Sequence, residues 1–206
     1  MTTYRLYVSL LEIAPPIWRR IELSSETTLA QLHKVLRTVM GWQDYHFHEF
    51  EIAGRRYGVP DSDYDSPGEV ARESSVKLSS ALPRKGATLL YSYDFGDNWT
   101  HAVTLEDIVL TDPDAQYPRV MDGARCCPPE DCGGTYGYLE LLEILAKPRH
   151  KEYRRMREWA GKDFNPETFS AKSVNLLFKP GRGRTQKKQT NVAPKPACWK
   201  ATLLCG

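Results

Sequence analysis

Three short stretches hold the residues whose types and spacing can do chemistry. The central one, residues 91–101, reads Y-S-Y-D-F-G-D-N-W-T-H. It is flanked by H-F-H-E at residues 46–49 and by C-P-P-E-D-C-G-G at residues 127–134. Imidazoles, thiolates and carboxylates are the side chains that bind divalent cations in proteins. The sequence therefore indicates a metal site assembled from segments that lie far apart in the chain.

The first hypothesis is a zinc site. Four residues separate Cys127 from Cys132, a gap within the range for zinc loops, and the two prolines between them would stiffen the loop. The two glycines that follow would let the backbone fold closely around the site. A histidine from each of the other stretches would complete four ligands. The predicted zinc ligands are Cys127, Cys132 and His101, with His46 or His48.

Two alternatives for these stretches stay open. Cys127 and Cys132 can be buried thiols that anchor a turn, while the acidic residues between them cap the next helix. The acidic residues can also gather a divalent ion beside a histidine base for metal-dependent hydrolysis, although aspartates often serve only as turn formers. Aromatic residues such as Trp99 can stack on a ligand. The candidate binding residues are Asp94, Asp97, Trp99, Glu130 and Asp131.

Charge is divided unevenly along the chain. Residues 1–178 contain 21 basic and 26 acidic residues, whereas residues 179–206 contain seven basic residues and no acidic one. We therefore expect any attraction to nucleic acid to come from a disordered basic tail at 179–206. No stretch approaches the roughly 18 consecutive apolar residues of a membrane helix, and strand-like sequence starts near residue 4, so a cytoplasmic location is expected.

The hydrophobic pattern predicts an α+β domain over residues 1–178. Strands are predicted at 4–13, 17–23 and 47–52, with a helix between the second and third that begins at the Thr28 capping box and ends at Gly41. Residues 89–93 and 99–110 form a predicted hairpin, and 60–75 and 112–122 predicted loops. Helices should start near residues 135, 149, 166 and 170. This order predicts a mixed, β-grasp-like sheet that opens strand, strand, helix, strand, with the C-terminal helices packed on it.

Two histidine predictions follow from these elements. His33 shares the apolar face of the first helix and is expected to be a core or half-buried residue. His46 and His48 point to the same side if the third strand has already begun at His46, because side chains alternate along a strand.

Six motifs occur in order along the chain. They are I-W-R-R-I at 17–21, T-L-x-x-L-H at 28–33, M-G-W-x-x-x-H-x-H-x-F-x-I-x-G-x-x-Y-G at 40–58, Y-D-F-G-D-x-W-x-H at 93–101, C-P-P-E-D-C-G-G-x-x-G-Y at 127–138 and E-W-x-G-x-D-F-x-P-E-x-F at 158–169. Together they resemble the Ri-plasmid ORF-three-like family, whose members are also described as resembling a TnpR-type passenger protein of insertion elements.

The resemblance implies an α+β domain that is frequent in plasmids and mobile elements and has no established activity. It carries no recombinase mechanism, because nothing here fixes an activated serine beside an arginine cluster. We expect a non-catalytic binding or regulatory module with a structural zinc ion. The alternatives are a metal-dependent hydrolase and a nucleic-acid-binding accessory protein of a transposable element.

Overall fold

The computed structural model describes residues 2–61, 66 and 69–179. The strands in this part of the chain are β1 (Thr2–Leu10), β2 (Trp18–Ser24), β3 (His48–Ile52), β4 (Arg55–Gly58), β5 (Val70–Arg72), β6 (Thr88–Tyr93), β7 (Trp99–Leu110) and β8 (Arg119–Ala124). The helices are α1 (Leu29–Met40), α2 (Leu78–Ala81), α3 (Gly134–Leu145), α4 (Tyr153–Ala160) and α5 (Ala171–Asn175). Short 3-10 turns lie at Glu73–Ser75 and Leu176–Phe178.

The eight strands form one mixed sheet in the order β5-β4-β3-β6-β7-β1-β2-β8. Every neighbouring pair is antiparallel except β4 and β5, which are parallel. The fold class, α+β, is as predicted, and the chain opens β1, β2, α1, β3. The hairpin β6–β7 lies at the centre of the sheet, which explains why its residues are mostly buried on one side.

Helix α1 has the ends that the sequence predicts. The Thr28 hydroxyl accepts a hydrogen bond from the Gln31 backbone N–H, and the Gln31 side chain accepts one from the Thr28 backbone N–H. Gly41 ends the helix in the left-handed conformation, with φ of 89°. The apolar face of α1 joins the core, and His33 on that face is buried, as expected.

Two predicted loops contain strands. Within 112–122 the structure places the start of β8, which pairs with the exposed edge of β2. The outer edge of β8 is covered by the side chain of Asn175, whose amide exchanges two hydrogen bonds with the backbone of Val120. Pairing partners supplied by distant residues thus override a local sequence rich in proline and aspartate. In the same way, the predicted loop 60–75 contains β5 and a 3-10 turn.

The C-terminal helices follow the prediction in part. Helix α3 lies where it was expected, α4 begins at Tyr153 rather than near residue 149, and both contribute to the core. The prediction of a helix that begins at Pro166 is wrong. The segment forms a turn, in which the Asn165 side chain accepts a hydrogen bond from the Glu167 N–H. The next helix, α5, begins only after Ser170, whose hydroxyl caps it.

The core lies between one face of the sheet and the helices. Fully buried side chains include Leu6, Val8, Val103, Leu36 and Tyr138. Across the described residues, none of the helices has the length and apolar character needed to span a bilayer. The predicted tail lies outside the described residues, apart from Lys179 at its start.

Candidate functional site

The connection between β6 and β7 is a tight turn organised by Asp94. Its carboxylate oxygen Oδ1 accepts hydrogen bonds from the backbone N–H groups of Gly96 and Asp97, at 3.0 and 3.3 Å. Asp94 and Asn98 both have positive φ values, 61° and 53°. Aspartate and asparagine adopt this conformation more readily than other non-glycine residues, because their side chains bond to nearby backbone groups in turns. The turn therefore holds the Asp94 carboxylate in one place.

The loop at residues 126–133 docks directly onto this turn. Gly134, at the start of α3, lies so close that a Cβ atom there would be 2.6 Å from the Asp97 carbonyl oxygen. The Gly133 N–H donates to Asp97 Oδ2 at 3.3 Å. The two glycines give the close backbone approach expected from the sequence.

A third segment, residues 42–47, completes the site. Glu130 accepts a hydrogen bond from the Tyr93 hydroxyl at 2.7 Å and others from the Gln43 N–H at 3.1 Å. The Trp42 indole donates to the Pro128 carbonyl and stacks on the Tyr93 ring at 4.9 Å. These contacts fix the three segments relative to one another. Glu130, predicted as a binding residue, acts here as a brace.

The braces bring three potential metal ligands together, and we call His46, Asp94 and Asp131 the turn cluster. His46 Nδ1 lies 3.5 Å from Asp94 Oδ1, and His46 Nε2 lies 3.5 Å from Asp131 Oδ1. The ligand atoms of the three residues all lie within 4.8 Å of one another. Both nitrogen–oxygen distances exceed the roughly 2.7–3.2 Å of an N–H···O hydrogen bond. The Asp131 side chain is 76% exposed, so the cluster is open to solvent.

Cys132 lies beside the turn cluster. Burial, and then the nearby carboxylates of Asp97 and Asp131, raise the pKa of its thiol to about 12. Cys132 is therefore a neutral thiol in the folded protein. The Asp97 carboxylate accepts a hydrogen bond from the Gly133 N–H, so Asp97 positions the loop at residues 126–133.

The other predicted zinc ligands lie elsewhere. Cys127 is buried, and its sulfur accepts a hydrogen bond from the Arg19 guanidinium at 3.0 Å. Burial raises the pKa of this thiol, with Arg19 opposing the shift. His101 is fully buried, and its Nδ1 donates to the Tyr91 carbonyl oxygen at 3.1 Å. Burial lowers the pKa of His101 to about 4, so the ring is neutral.

Trp99 is also a core residue, stacked near Trp42 at 6.2 Å. Of the residues singled out from the sequence, the structure thus gathers His46, Asp94 and Asp131. It places Asp97, Glu130 and Cys132 in the surrounding scaffold. Trp99, His101, Cys127 and His48 lie outside this cluster, held by other partners.

His48 belongs to a separate, buried group that we call the stacked histidine network. Strand β3 begins at His48, so the alternation expected for His46 and His48 does not apply. The His48 ring stacks on His33 at 3.4 Å and 5°. His48 Nε2 bonds to Glu73 at 2.9 Å, and His33 bonds to Asp44 and to the Tyr91 hydroxyl at 2.7 and 2.8 Å. Burial, followed by the neighbouring His48, lowers the pKa of His33.

Sequence reasoning missed this network. Glu73 lies in a segment predicted to be a surface loop. It reaches His48, 25 residues earlier in the chain, only in the folded structure. A signal was present in His33, because an imidazole on the apolar face of a helix requires hydrogen-bond partners when it is buried.

A pocket of about 450 Å³ is lined by residues of β3, β4 and β5, His48 among them, and by Phe47 and Phe95. Phe47 and Phe95 form part of its rim and are 68% and 54% exposed, with their rings stacked at 6.3 Å. They follow His46 and Asp94 directly in the sequence, so the same two segments carry ligand atoms and exposed aromatic rings. Exposed aromatic residues beside a pocket are typical of a binding surface.

The model of the plasmid pRiA4b ORF-3-like protein family matches residues 2–173. The chain belongs to this family. The resemblance drawn from the six motifs is therefore confirmed. The turn cluster, the stacked histidine network and the rim of the pocket all lie within the matched residues.

Two relatives extend this finding. The chain is 36% identical over 159 residues to the uncharacterized protein y4hQ of Sinorhizobium fredii, covering 76% of this chain and 80% of that protein. It is 40% identical to a protein of unknown function, MM3350, from Methanosarcina mazei Go1, whose crystal structure matches with a TM-score of 0.75. That match covers 83% of this chain and 96% of the other. These descriptions assign no activity, so function has to be argued from the geometry.

Proposed function

We propose that this chain is a non-catalytic binding module in which His46, Asp94 and Asp131 hold one divalent cation. The observation that supports it is the convergence of three ligand atoms, from three separate segments, at distances too long for hydrogen bonds. An imidazole nitrogen and carboxylate oxygens that converge in this way can share one cation, although Asp94 Oδ1 also accepts two backbone hydrogen bonds. A cation between them would also remove the repulsion between the two carboxylates.

Zinc is the first candidate for this cation. One imidazole nitrogen and two carboxylate oxygens are ligands that zinc accepts, and zinc sites with three protein ligands keep a further position for water or a bound molecule. Manganese, which favours oxygen ligands, is the second candidate.

The open side of the cluster indicates how a ligand binds. Asp131 is largely exposed, so the cation is accessible to an oxygen donor from outside. The apolar part of the same ligand lies against Phe47 and Phe95 in the neighbouring pocket.

The proposal is tested by calorimetric titration of chelator-treated protein with zinc and, separately, manganese. We expect about one equivalent of cation to bind to the wild type, and His46→Gln and Asp94→Asn each to weaken binding by about 100-fold. Asp122→Asn, which removes an exposed carboxylate far along the chain, is the matched control and should bind as the wild type does. Absence of binding, or equal binding by all four proteins, contradicts the proposal.

Metal-dependent hydrolysis is the second candidate function. It is favoured by the open cation position, since a bound water there would be activated at neutral pH. Hydrolysis of phosphodiester or peptide substrates should appear on adding zinc or manganese and be lost in Asp94→Asn. Binding of the cation without any turnover of these substrates leaves the non-catalytic function as the conclusion.

A further inference from the structure

The described part of the chain has one strongly basic segment in an otherwise acidic domain. Residues 147–157 read K-P-R-H-K-E-Y-R-R-M-R and contain six lysines and arginines with one acidic residue. Residues 1–178 hold 21 basic and 26 acidic residues, so the remainder holds 15 basic and 25 acidic ones. The segment therefore carries a net charge of +5 against −10 for the rest. This polarity is hidden in the overall charge of +2.

The structure places these charges on one exposed feature, the turn before α4 and the helix itself, which we call the α4 surface. Arg149, Lys151 and Arg154 are exposed and form no ion pair with any residue that the structure describes. Arg155 pairs with Glu152 at 2.6 Å but stays 75% exposed. Three or four cations are thus free to meet a negatively charged partner.

A cleft extends from the α4 surface to the loop that carries Asp131. It has a volume of about 350 Å³ and lies between α3 and α4, with Lys151 and Arg155 at one side. Cys132 also lines it, and Cys132 directly follows Asp131. An extended anionic chain on the α4 surface can therefore enter a cleft that reaches Cys132, the neighbour of Asp131 in the sequence, although Glu140 and Glu152 also line this cleft.

We propose that the α4 surface binds the phosphate backbone of a single-stranded nucleic acid, whose bases stack on Phe47 and Phe95. This deepens the proposed function by naming its ligand, since phosphate oxygens are also donors to the cation. The basic residues bind phosphates by charge, and exposed aromatic rings hold unpaired bases of any sequence. An anionic membrane fits less well, because Trp159 is the sole large apolar side chain exposed on the described segment 147–160.

The test is fluorescence anisotropy of a labelled 30-nucleotide single strand, its duplex and anionic phosphatidylserine vesicles, all with the full chain. The charge variant is Arg149→Gln/Lys151→Gln/Arg154→Gln. Its matched control is Lys34→Gln/Arg55→Gln/Arg84→Gln, which removes the same charge from exposed positions elsewhere. Both variants retain the basic residues of 179–206, so a difference between them reports the α4 surface alone.

We expect the charge variant to bind the single strand about tenfold more weakly than the control at low salt, with a salt dependence lower by about 2 in the slope of log K against log salt. Phe47→Ala/Phe95→Ala should weaken binding of the single strand by about tenfold and leave the duplex unaffected.

Zinc titration of the charge variant keeps the two proposals separate. The charge variant should bind zinc with the same affinity as the wild type. Loss of nucleic-acid binding together with normal zinc binding supports the inference. Equal nucleic-acid affinity of charge variant and control overturns it, and so does a loss confined to the vesicles. Cation binding without nucleic-acid binding by any of the proteins rejects this ligand and leaves the metal-dependent function intact.

Discussion

The turn cluster and the stacked histidine network contain the same kinds of side chain in opposite states. In the network, His33 and His48 reach carboxylates at 2.7 and 2.9 Å; the His33 ring is buried and the His48 ring is half-buried. In the turn cluster, His46 lies between two carboxylates at 3.5 Å, and one of them is largely exposed. The members of the first group make short hydrogen bonds to one another, whereas the contacts among the three side chains of the second group are longer.

The difference teaches that composition alone does not identify a site in this protein. A hydrogen-bonded network with buried members, here His33 and Glu73, resists disruption and so contributes to a unique fold. An open cluster, in which the Asp131 carboxylate is largely exposed, has the features of a place where another molecule binds. Mutations in the stacked histidine network should therefore lower the stability of the protein. Mutations in the turn cluster should instead weaken the binding of the cation.

The largest effect is expected when the buried network is broken. Glu73→Ala removes the partner of His48 and should lower the free energy of unfolding by about 3 kcal/mol, because one member of a buried pair is left without its partner. Glu73→Gln, which retains the size and a hydrogen-bonding group, should lose less. Asp131→Asn in the open cluster should change stability by less than about 0.5 kcal/mol. Urea unfolding measures all three, and a loss below about 1 kcal/mol for Glu73→Ala would remove the contrast.

The scaffold of the open cluster can be moved without touching a ligand. Gly134→Ala puts a Cβ atom 2.6 Å from the Asp97 carbonyl, at a residue with φ of 66°. We expect the loop to shift and zinc affinity to fall by about tenfold. Gly86→Ala is the matched control, with φ of 83° and no atom within 4 Å of the added Cβ. Calorimetry should show a normal zinc affinity for this control; equal losses in both variants would assign the effect to backbone strain alone.

The buried imidazoles also predict the pH dependence of stability. The pKa of His101 is about 4 in the folded protein and about 6.5 when unfolded. Between these values the unfolded state binds more protons, so stability is complete above about pH 6.5 and declines as pH falls toward 4. The decline from this residue is at most about 1.4 kcal/mol per pH unit.

His101→Phe should remove this contribution, while that of His33, whose pKa is also lowered, remains. Urea unfolding at pH 7, 6 and 5 provides the comparison. A variant with the same slope as the wild type would show that His101 does not titrate in the unfolding reaction.

The smallest effect is expected at Cys132. This thiol lies beside the turn cluster without belonging to it, so Cys132→Ser should change stability by about 1 kcal/mol or less and zinc affinity by less than about threefold. A zinc site built on cysteine predicts the reverse, because the free energy of metal binding is then part of the free energy of folding. Melting and zinc titration of this one variant separate the two models.

Local signals in the sequence were sufficient for much of the fold. The Thr28 capping box, the Gly41 stop and the β6–β7 hairpin follow from residues within a few positions of one another. Strand β8 does not, because its segment becomes a strand only when β2 and the side chain of Asn175 supply its partners. The same limit applies to the short β5 and to the helix wrongly expected at Pro166.

The candidate site was predictable in its residues but not in their grouping. The motifs pointed to His46, Asp94 and Asp131, yet also to Cys127 and His101. The latter are held by Arg19 and by the Tyr91 carbonyl, contacts that no sequence spacing reveals. The basic segment at 147–157 is visible in the sequence, but the net charge of the whole domain conceals it because the other residues are mostly acidic.

The most direct measurement is anomalous scattering at the zinc absorption edge from crystals grown with zinc. We expect one strong peak between His46, Asp94 and Asp131, at about 2.0–2.2 Å from a nitrogen of His46 and an oxygen of each carboxylate. A peak at Cys127 or Cys132, or the absence of any peak in crystals that contain zinc, would contradict a cation site at the turn cluster.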